Sequence, residues 1–241
     1  MSSLSGQTVL VTGAAKRIGR GIALHLAKQG ARLGIHYGES EAAARKVADE
    51  CGNGAEIFAA DLEKISDIQN LFARVGERFG QLDGLVNNAA RFTKFDPLEV
   101  TEQDWDFIHS VNLKATFFCC QQGAKLMLGG DGGRIVNLSS LGGIRPWADH
   151  AHYCASKAGV IHMTRALAKA WAPKISVNSV APGVIPFDEA GSPEIQTLVA
   201  DTPAGRPGTA EEIAGAVLFF LSSSTFVTGQ ILAVDGGLSQ R

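Results

Sequence analysis

The sequence predicts an α/β fold, a single doubly wound Rossmann-type domain with a seven-stranded parallel sheet between two helix layers. Three observations carry that expectation. Short apolar runs alternate with amphipathic stretches from one end of the chain to the other. Strands this apolar bury both faces only in a parallel sheet covered by helices on either side. No Pro/Gly/Ser-rich linker, charge block or internal repeat interrupts the alternation, so residues 1–241 are expected to form one domain.

The elements follow in order. "TVLVTG" reads as a strand leading into a helix over 17–29, "ARLGIHY" as the next strand before 40–51, and "AEIFAAD" as the third, closed by Asp61, before 66–79. "LDGLVNNAA" precedes a helical stretch over 104–128, and "GRIVNLSS" precedes 151–172. "KISVNSVAPG" leads into a broken helical segment near 193–222, and "GQILAVDGG" supplies the last strand.

Composition narrows the function. With 45% hydrophobic and 19% charged residues, the chain has the make-up of a globular protein and not of a disordered one. Its 22 basic and 24 acidic residues are interspersed for a net charge of −2, which argues against nucleic acid or an anionic membrane as partner and for a small-molecule substrate. The N-terminus lacks a basic start followed by a long apolar segment, so a cytoplasmic location is expected. The four cysteines Cys51, Cys119, Cys120 and Cys154 show no metal-ligand spacing and read as buried thiols; no metal is expected.

In a doubly wound sheet the ligand lies beyond the carboxyl ends of the strands. Gly13 and Gly19 bracket a turn that opens the first helix, whose free N–H groups and dipole suit a pyrophosphate. The turn also carries Lys16, Arg17 and Ile18. Asp61, with Leu62 beside it, and Asn87 are expected to meet the adenine and wall the adenosine ribose. An NAD site would place a carboxylate at the end of the second strand, to bind the ribose hydroxyls and repel a 2′-phosphate. Here that place is held by Tyr37, and Lys16, Arg17 and the hydroxyl of Ser40 favour a phosphate, so NADP(H) is the expected cofactor, with Glu39 as the one opposing charge. Asn88, Ala89 and Ala90 after the fourth strand, and Pro182, Gly183 and Ile185 after the sixth, complete the expected cofactor path.

The chemistry concentrates in "SSLGGIRPWADHAHYCASKAG". Tyr153 and Lys157 lie four apart in a helical stretch and share a face. A neighbouring ammonium stabilises phenolate, which makes Tyr153 a usable general acid and base. Ser140, just after the fifth strand, is placed to orient a substrate carbonyl toward it. Asn112 falls mid-helix, where a short amide disturbs the backbone ladder and is suited to hold a proton-relaying water near Lys157. His150 and His152 lack a third ligand at metal spacing and read as pocket lining or surface, while Trp147, Arg145, Phe187 and Asp188 are either substrate-facing or loop anchors.

Through "TGAAKRIG", "NNAA", Asn112, the Ser140/Tyr153/Lys157 set, "APG" and the terminal "VDGG", the chain resembles the short-chain dehydrogenase/reductase family over essentially its whole length. The resemblance implies that these four polar residues form a catalytic tetrad, that Lys157 and Tyr153 also contact the cofactor, and that hydride passes from the nicotinamide to a C=O or C=N carbon. Arg17 and "HYGES" resemble the pteridine-reductase branch, with Phe92 where a stacking ring would face a flat substrate; Arg17, Phe92, Ser140, Trp147, Tyr153 and Phe187 are then the expected substrate contacts. Ser140 and Ala90 depart from that branch, which carries aspartate and serine there, and they suit a ketone or 3-oxoacyl thioester. A non-catalytic NADP(H)-sensing or scaffold protein is the remaining class. The apolar faces of 104–128 and 151–172 and the terminal strand imply a homotetramer.

Overall fold

The computed structural model describes residues 4–186 and 193–241. Seven strands form one parallel sheet: β1 (Thr8–Val11), β2 (Arg32–Tyr37), β3 (Glu56–Ala59), β4 (Gly84–Asn87), β5 (Gly133–Leu138), β6 (Ile175–Pro182) and β7 (Ile231–Val234). Their spatial order is β3-β2-β1-β4-β5-β6-β7, so the winding direction reverses between β1 and β4. Ligands bind at this switch point in doubly wound sheets.

The helices are α1 (Arg17–Lys28), α2 (Glu41–Cys51), α3 (Ile65–Phe79), α4 (Glu102–His109), α5 (Thr116–Leu128), α6 (Ala151–Trp171), α7 (Pro193–Asp201) and α8 (Ala210–Ser222). Alternation along the strands divides them into two layers. Val9 and Val11 of β1, Val86 of β4 and Val136 of β5 face a core closed by α1, α2 and α8. Their neighbours Leu10, Leu85 and Ile135 face the opposite core, closed by α3, α5 and α6. Each strand is apolar on both sides because each side is roofed. Gly21 allows α1 to lie against α8, since a Cβ there would stand 2.7 Å from the Cβ of Ala210. Reciprocal caps set two helix starts, Thr101 with Asp104 at α4 and Thr209 with Glu212 at α8.

Two segments differ from the sequence expectation. The stretch 104–128 is not one regular helix: α4 and α5 are joined by a wide π-helical turn, Ser110–Ala115, with Asn112 in it. The third strand ends at Ala59, before Asp61, because Ala60 N–H makes the last bond to β2, at Tyr37 O, and Asp61 then turns back to accept from Glu63 N–H. Among the described residues no helix is long and apolar enough to cross a membrane.

Candidate active site

The turn between β1 and α1 is tied to the end of β4 by one threonine and one asparagine. Thr12 Oγ1 accepts from the backbone N–H of both Asn88 and Ala89, at 3.0 and 3.1 Å. Asn88 Nδ2 returns to the carbonyls of Thr12 and Gly13, at 3.0 and 3.1 Å. This knot explains both glycines. Gly13 has φ +62° and an added Cβ would lie 2.9 Å from Ala89 Cα, while at Gly19 it would lie 2.2 Å from Gly13 O. Lys16, the residue before α1, gives the helix no side-chain cap, and a helix start of this kind favours an anion.

Arg17 itself adopts φ +54°, in the left-handed region that a side chain enters only at a cost of about 1–2 kcal/mol. Lys16 and Arg17 are both exposed, next to the ends of β1 and β2. The ring of Tyr37 is buried among the apolar residues of α1 and α2, so the end of β2 offers no carboxylate, and Glu39 beyond it is exposed. Ser40 is half-buried at the start of α2.

Asp61 is held by Lys64 at 3.2 Å and by Glu63 N–H, which together keep its carboxyl below the usual range. Leu62 is buried. Asn87 is a correction: its side chain points into the sheet–helix interface, where Nδ2 donates to Asn137 Oδ1 at 2.9 Å, and it walls no ligand. The adjacent Asn88 and Ala89 are half-buried and Ala90 is exposed. Pro182 and Gly183 run beside β7, Gly183 donating to Val234 O, and Ile185 packs partly against the first core.

The four polar residues expected to react are brought together. Tyr153 and Lys157 stand one turn apart on α6, both buried, with the Lys157 ammonium 6.0 Å from the Tyr153 ring centre. Ser140 follows β5, and its Oγ accepts from Gly142 N–H at 3.1 Å. Lys157 Nζ donates to Leu138 O at 2.9 Å. Burial pushes the phenol of Tyr153 up to about 12, against the opposing pull of the Ser140 hydroxyl, and pushes Lys157 down to about 8. Tyr153 is thus raised and not lowered as its lysine neighbour led the sequence to suggest, because desolvation is the largest cause.

Asn112 is fully buried, and its amide is largely committed to the chain. Oδ1 accepts from Arg91 N–H at 2.7 Å, and Nδ2 donates to Arg91 O at 2.9 Å and to Ser156 Oγ at 3.2 Å. Both donors are used, leaving one lone pair on Oδ1 for a water. The side chain thus fastens the segment after β4 to α6.

An aromatic wall surrounds Tyr153. Phe92, 59% exposed, meets Tyr153 edge to face at 4.8 Å and stacks on His150 at 4.8 Å. Trp147 runs parallel to Tyr153, 6° apart in plane and 6.3 Å between centres. Arg145 is a loop anchor, donating to Leu238 O at 2.9 Å. His152 is buried and paired with Thr93 Oγ1 at 2.7 Å. Phe187 and Asp188 lie outside the described residues.

Sequence reasoning missed His36. Its Nδ1 accepts from Gly13 N–H at 3.0 Å, and Nε2–H donates to Ala60 O at 3.2 Å, so it joins β1, β2 and β3 at their ligand ends. A polar residue inside an otherwise apolar strand was the available signal. The buried chain Cys120, Asn87, Asn137 and Thr164 was likewise unread; it links α5, β4, β5 and α6 below the site.

A parallel sheet with a glycine-bracketed turn at its switch point, and a Ser/Tyr/Lys set beyond β5 and on α6, defines a nicotinamide-dependent oxidoreductase class. The chain belongs to the short-chain dehydrogenase/reductase family. Residues 13–239 match a family model described as enoyl-(acyl carrier protein) reductase. The chain is 35% identical to a 3-oxoacyl-[acyl-carrier-protein] reductase of Synechocystis, covering 99% of each chain. It is 39% identical to a 2-dehydro-3-deoxy-D-gluconate 5-dehydrogenase of Escherichia coli, covering 98% of this chain and 96% of that one. A solved short-chain dehydrogenase/reductase of Serratia marcescens superposes with a TM-score of 0.91 at 33% identity, over 98% of this chain and 99% of that one.

Proposed function

We propose that this protein is an NADPH-dependent reductase of a carbonyl compound, acting through Asn112, Ser140, Tyr153 and Lys157. The observation that carries the reading is the buried Tyr153–Lys157 pair one turn apart on α6, with Ser140 buried just after β5. A carbonyl oxygen placed between the Ser140 and Tyr153 hydroxyls would accept from both. A nicotinamide held there would supply hydride to the carbonyl carbon. Tyr153 gives its proton to the oxygen as negative charge develops on it, and the product is the alcohol. A phenol pushed up to about 12 keeps its proton at neutral pH, which suits a donor in the reductive direction. Lys157 stands behind Tyr153 as the buried cation that steadies phenolate and reaches the nicotinamide ribose.

The residues fit the cofactor. The uncapped start of α1 suits a pyrophosphate, with Gly13, Gly19, Asn88 and Ala89 shaping its bed. Lys16, Arg17 and Ser40 would receive a 2′-phosphate, with Tyr37 in place of a carboxylate closing β2 and exposed Glu39 as the one opposing charge. Residues 1–241 act as one NADP(H)-binding unit in this reading. Exposed Trp105 and Phe117 near α5, and Phe219, Phe226 and Leu232 near β7, suit the two faces of a homotetramer in the cytoplasm.

Ser140 in place of an aspartate, and the carbonyl chemistry named for the relatives, favour the carbonyl reading over the pteridine-reductase one. The assembled tetrad favours catalysis over a sensing or scaffold role. The test follows NADPH oxidation with an acetoacetyl thioester, simple ketones and dihydrobiopterin. Turnover of carbonyl compounds, falling on the order of 10²–10⁴-fold in Tyr153→Phe, supports the reading. Turnover of the pterin alone, or a Tyr153→Phe variant as active as the parent, overturns it.

A further inference from the structure

The chain that leaves β4 is held at one residue from two directions. Residues 88–96 belong to no helix or strand, so no sheet ladder fixes their path. At Arg91 side chains set it instead. The Arg91 N–H donates to Asn112 Oδ1 at 2.7 Å and the Arg91 carbonyl accepts from Asn112 Nδ2 at 2.9 Å, so one amide takes both backbone polar groups of that residue. The guanidinium grips the other side. Its Nη1 donates to Phe107 O at 3.1 Å, its plane centre lies 4.0 Å from the centre of the Phe107 ring, and Nη2 pairs with the Glu63 carboxylate in the loop after β3.

These contacts close a ring. Phe107 belongs to α4 and Asn112 to the π turn that follows it, so Arg91 holds one stretch of chain with both its backbone and its side chain. A planar fork shared by a carboxylate, a carbonyl and a ring face has one orientation, which a lone surface ion pair does not impose. From Asn112 the path runs on to the reacting residues. Its Nδ2 also donates to Ser156 Oγ at 3.2 Å, and Ser156 Oγ donates to Tyr153 O at 2.7 Å, on the turn of α6 that carries Tyr153 and Lys157. From this geometry we infer that Arg91 is a positioning residue for the reaction: clamped by Glu63 and Phe107, it holds Asn112 and, through Ser156, the turn that presents Tyr153 and Lys157. The loop after β3 thereby becomes a support of the reacting set. The inference rests on the carbonyl-reductase reading and adds Arg91 and Glu63 to the residues that reaction needs.

The test measures NADPH oxidation with an acetoacetyl thioester and simple ketones in the parent, Arg91→Met, Arg91→Lys and Arg78→Met. Arg91→Met should lower kcat by about 10- to 100-fold, the cost of a small misplacement of reacting groups, with KM for NADPH within about twofold of the parent. Arg91→Lys keeps a charge for Glu63 but not the planar fork, and should recover part of the loss. Arg78→Met breaks an exposed ion pair of the same kind, with Glu56 between α3 and β3, and should leave kcat within about twofold. In an Asn112→Ala background, Arg91→Met should cost less than about twofold more, because the path is already cut; Ser156→Ala makes the same cut if the alanine variant does not fold. In the nucleotide-free protein, backbone hydrogen exchange over 110–116 should quicken in Arg91→Met and not in Arg78→Met. An unchanged kcat in Arg91→Met, a loss carried by KM alone, the full loss repeated in the cut background, or equal exchange in the two variants overturns the inference and leaves the carbonyl reading standing. A parent that reduces no carbonyl compound ends that reading and this inference together.

Discussion

His36 gives the sharpest prediction because its two bonds fix its protonation. Nδ1 must be bare to accept from Gly13 N–H, and Nε2 must carry the proton it donates to Ala60 O. A second proton would set N–H against N–H inside the sheet. Burial, opposed by the Ala60 bond and helped by Arg74, pushes its pKa down to about 4. At pH values above the unfolded value near 6.5, both states are neutral and the full stability is present. As pH falls, the unfolded chain takes up the proton first, so stability drains away between about 6.5 and about 4. The loss is roughly 2 kcal/mol by about pH 5 and roughly 3 kcal/mol in all. Urea unfolding of the parent and of His36→Asn, at about pH 7.5 and about pH 5, isolates this term because other titrating groups are common to both. The asparagine oxygen still accepts from Gly13 but does not titrate, so the stability gap between parent and variant should narrow by roughly 2 kcal/mol at the lower pH. Parallel pH profiles would refute the assignment.

Gly19→Ala should abolish NADPH binding and lower stability by about 1–3 kcal/mol, since the new methyl meets Gly13 O and Asn88 Nδ2; a fluorescence titration matching the parent would contradict this. Arg17→Gly removes the positive-φ strain, so the melting temperature should rise by the equivalent of about 1 kcal/mol while KM for NADPH increases and that for NADH barely moves. Steady-state kinetics with both nucleotides decide it. Lys157→Met should cut turnover at least about 100-fold yet leave stability at neutral pH equal or higher, because a buried charge is replaced by an apolar chain of similar length. In the parent, Lys157 binds its proton less tightly when folded, so stability should rise as pH climbs from about 8 toward the unfolded value of 10.5, and that rise should be missing from the variant.

Much of the fold was legible because both signals that define it are local. Runs such as "TVLVTG" and "GRIVNLSS" are apolar on both faces, and the helical stretches between them keep a regular apolar stripe. Tyr153, Lys157 and Ser140 were legible from spacing and from their place after β5. What could not be read were bonds between distant segments. Asn112 looked like a lone polar residue on a helix, but its partners Arg91 and Ser156 lie 21 and 44 positions away. Asn87 and Asn88 are adjacent and chemically identical, yet the strand pleat sends one into the core and leaves the other at the turn between β1 and α1. His36 lies inside the run "ARLGIHY", and nothing local to it shows that its ring is spent on Gly13 and Ala60.

The wide turn at Ser110–Ala115 ties the reach of Asn112 to chain length as well as to side-chain identity. A π turn holds one more residue than the α turn it replaces. Losing a single residue from that segment would return it to regular pitch with α4 and α5 still in phase, and would withdraw the wide turn that carries Asn112. Asn112 would then swing away from Arg91 and Ser156 even if every side chain in the cleft were kept. Here the count of residues is itself a functional parameter, and length-neutral substitutions are the safe way to explore this part of the protein.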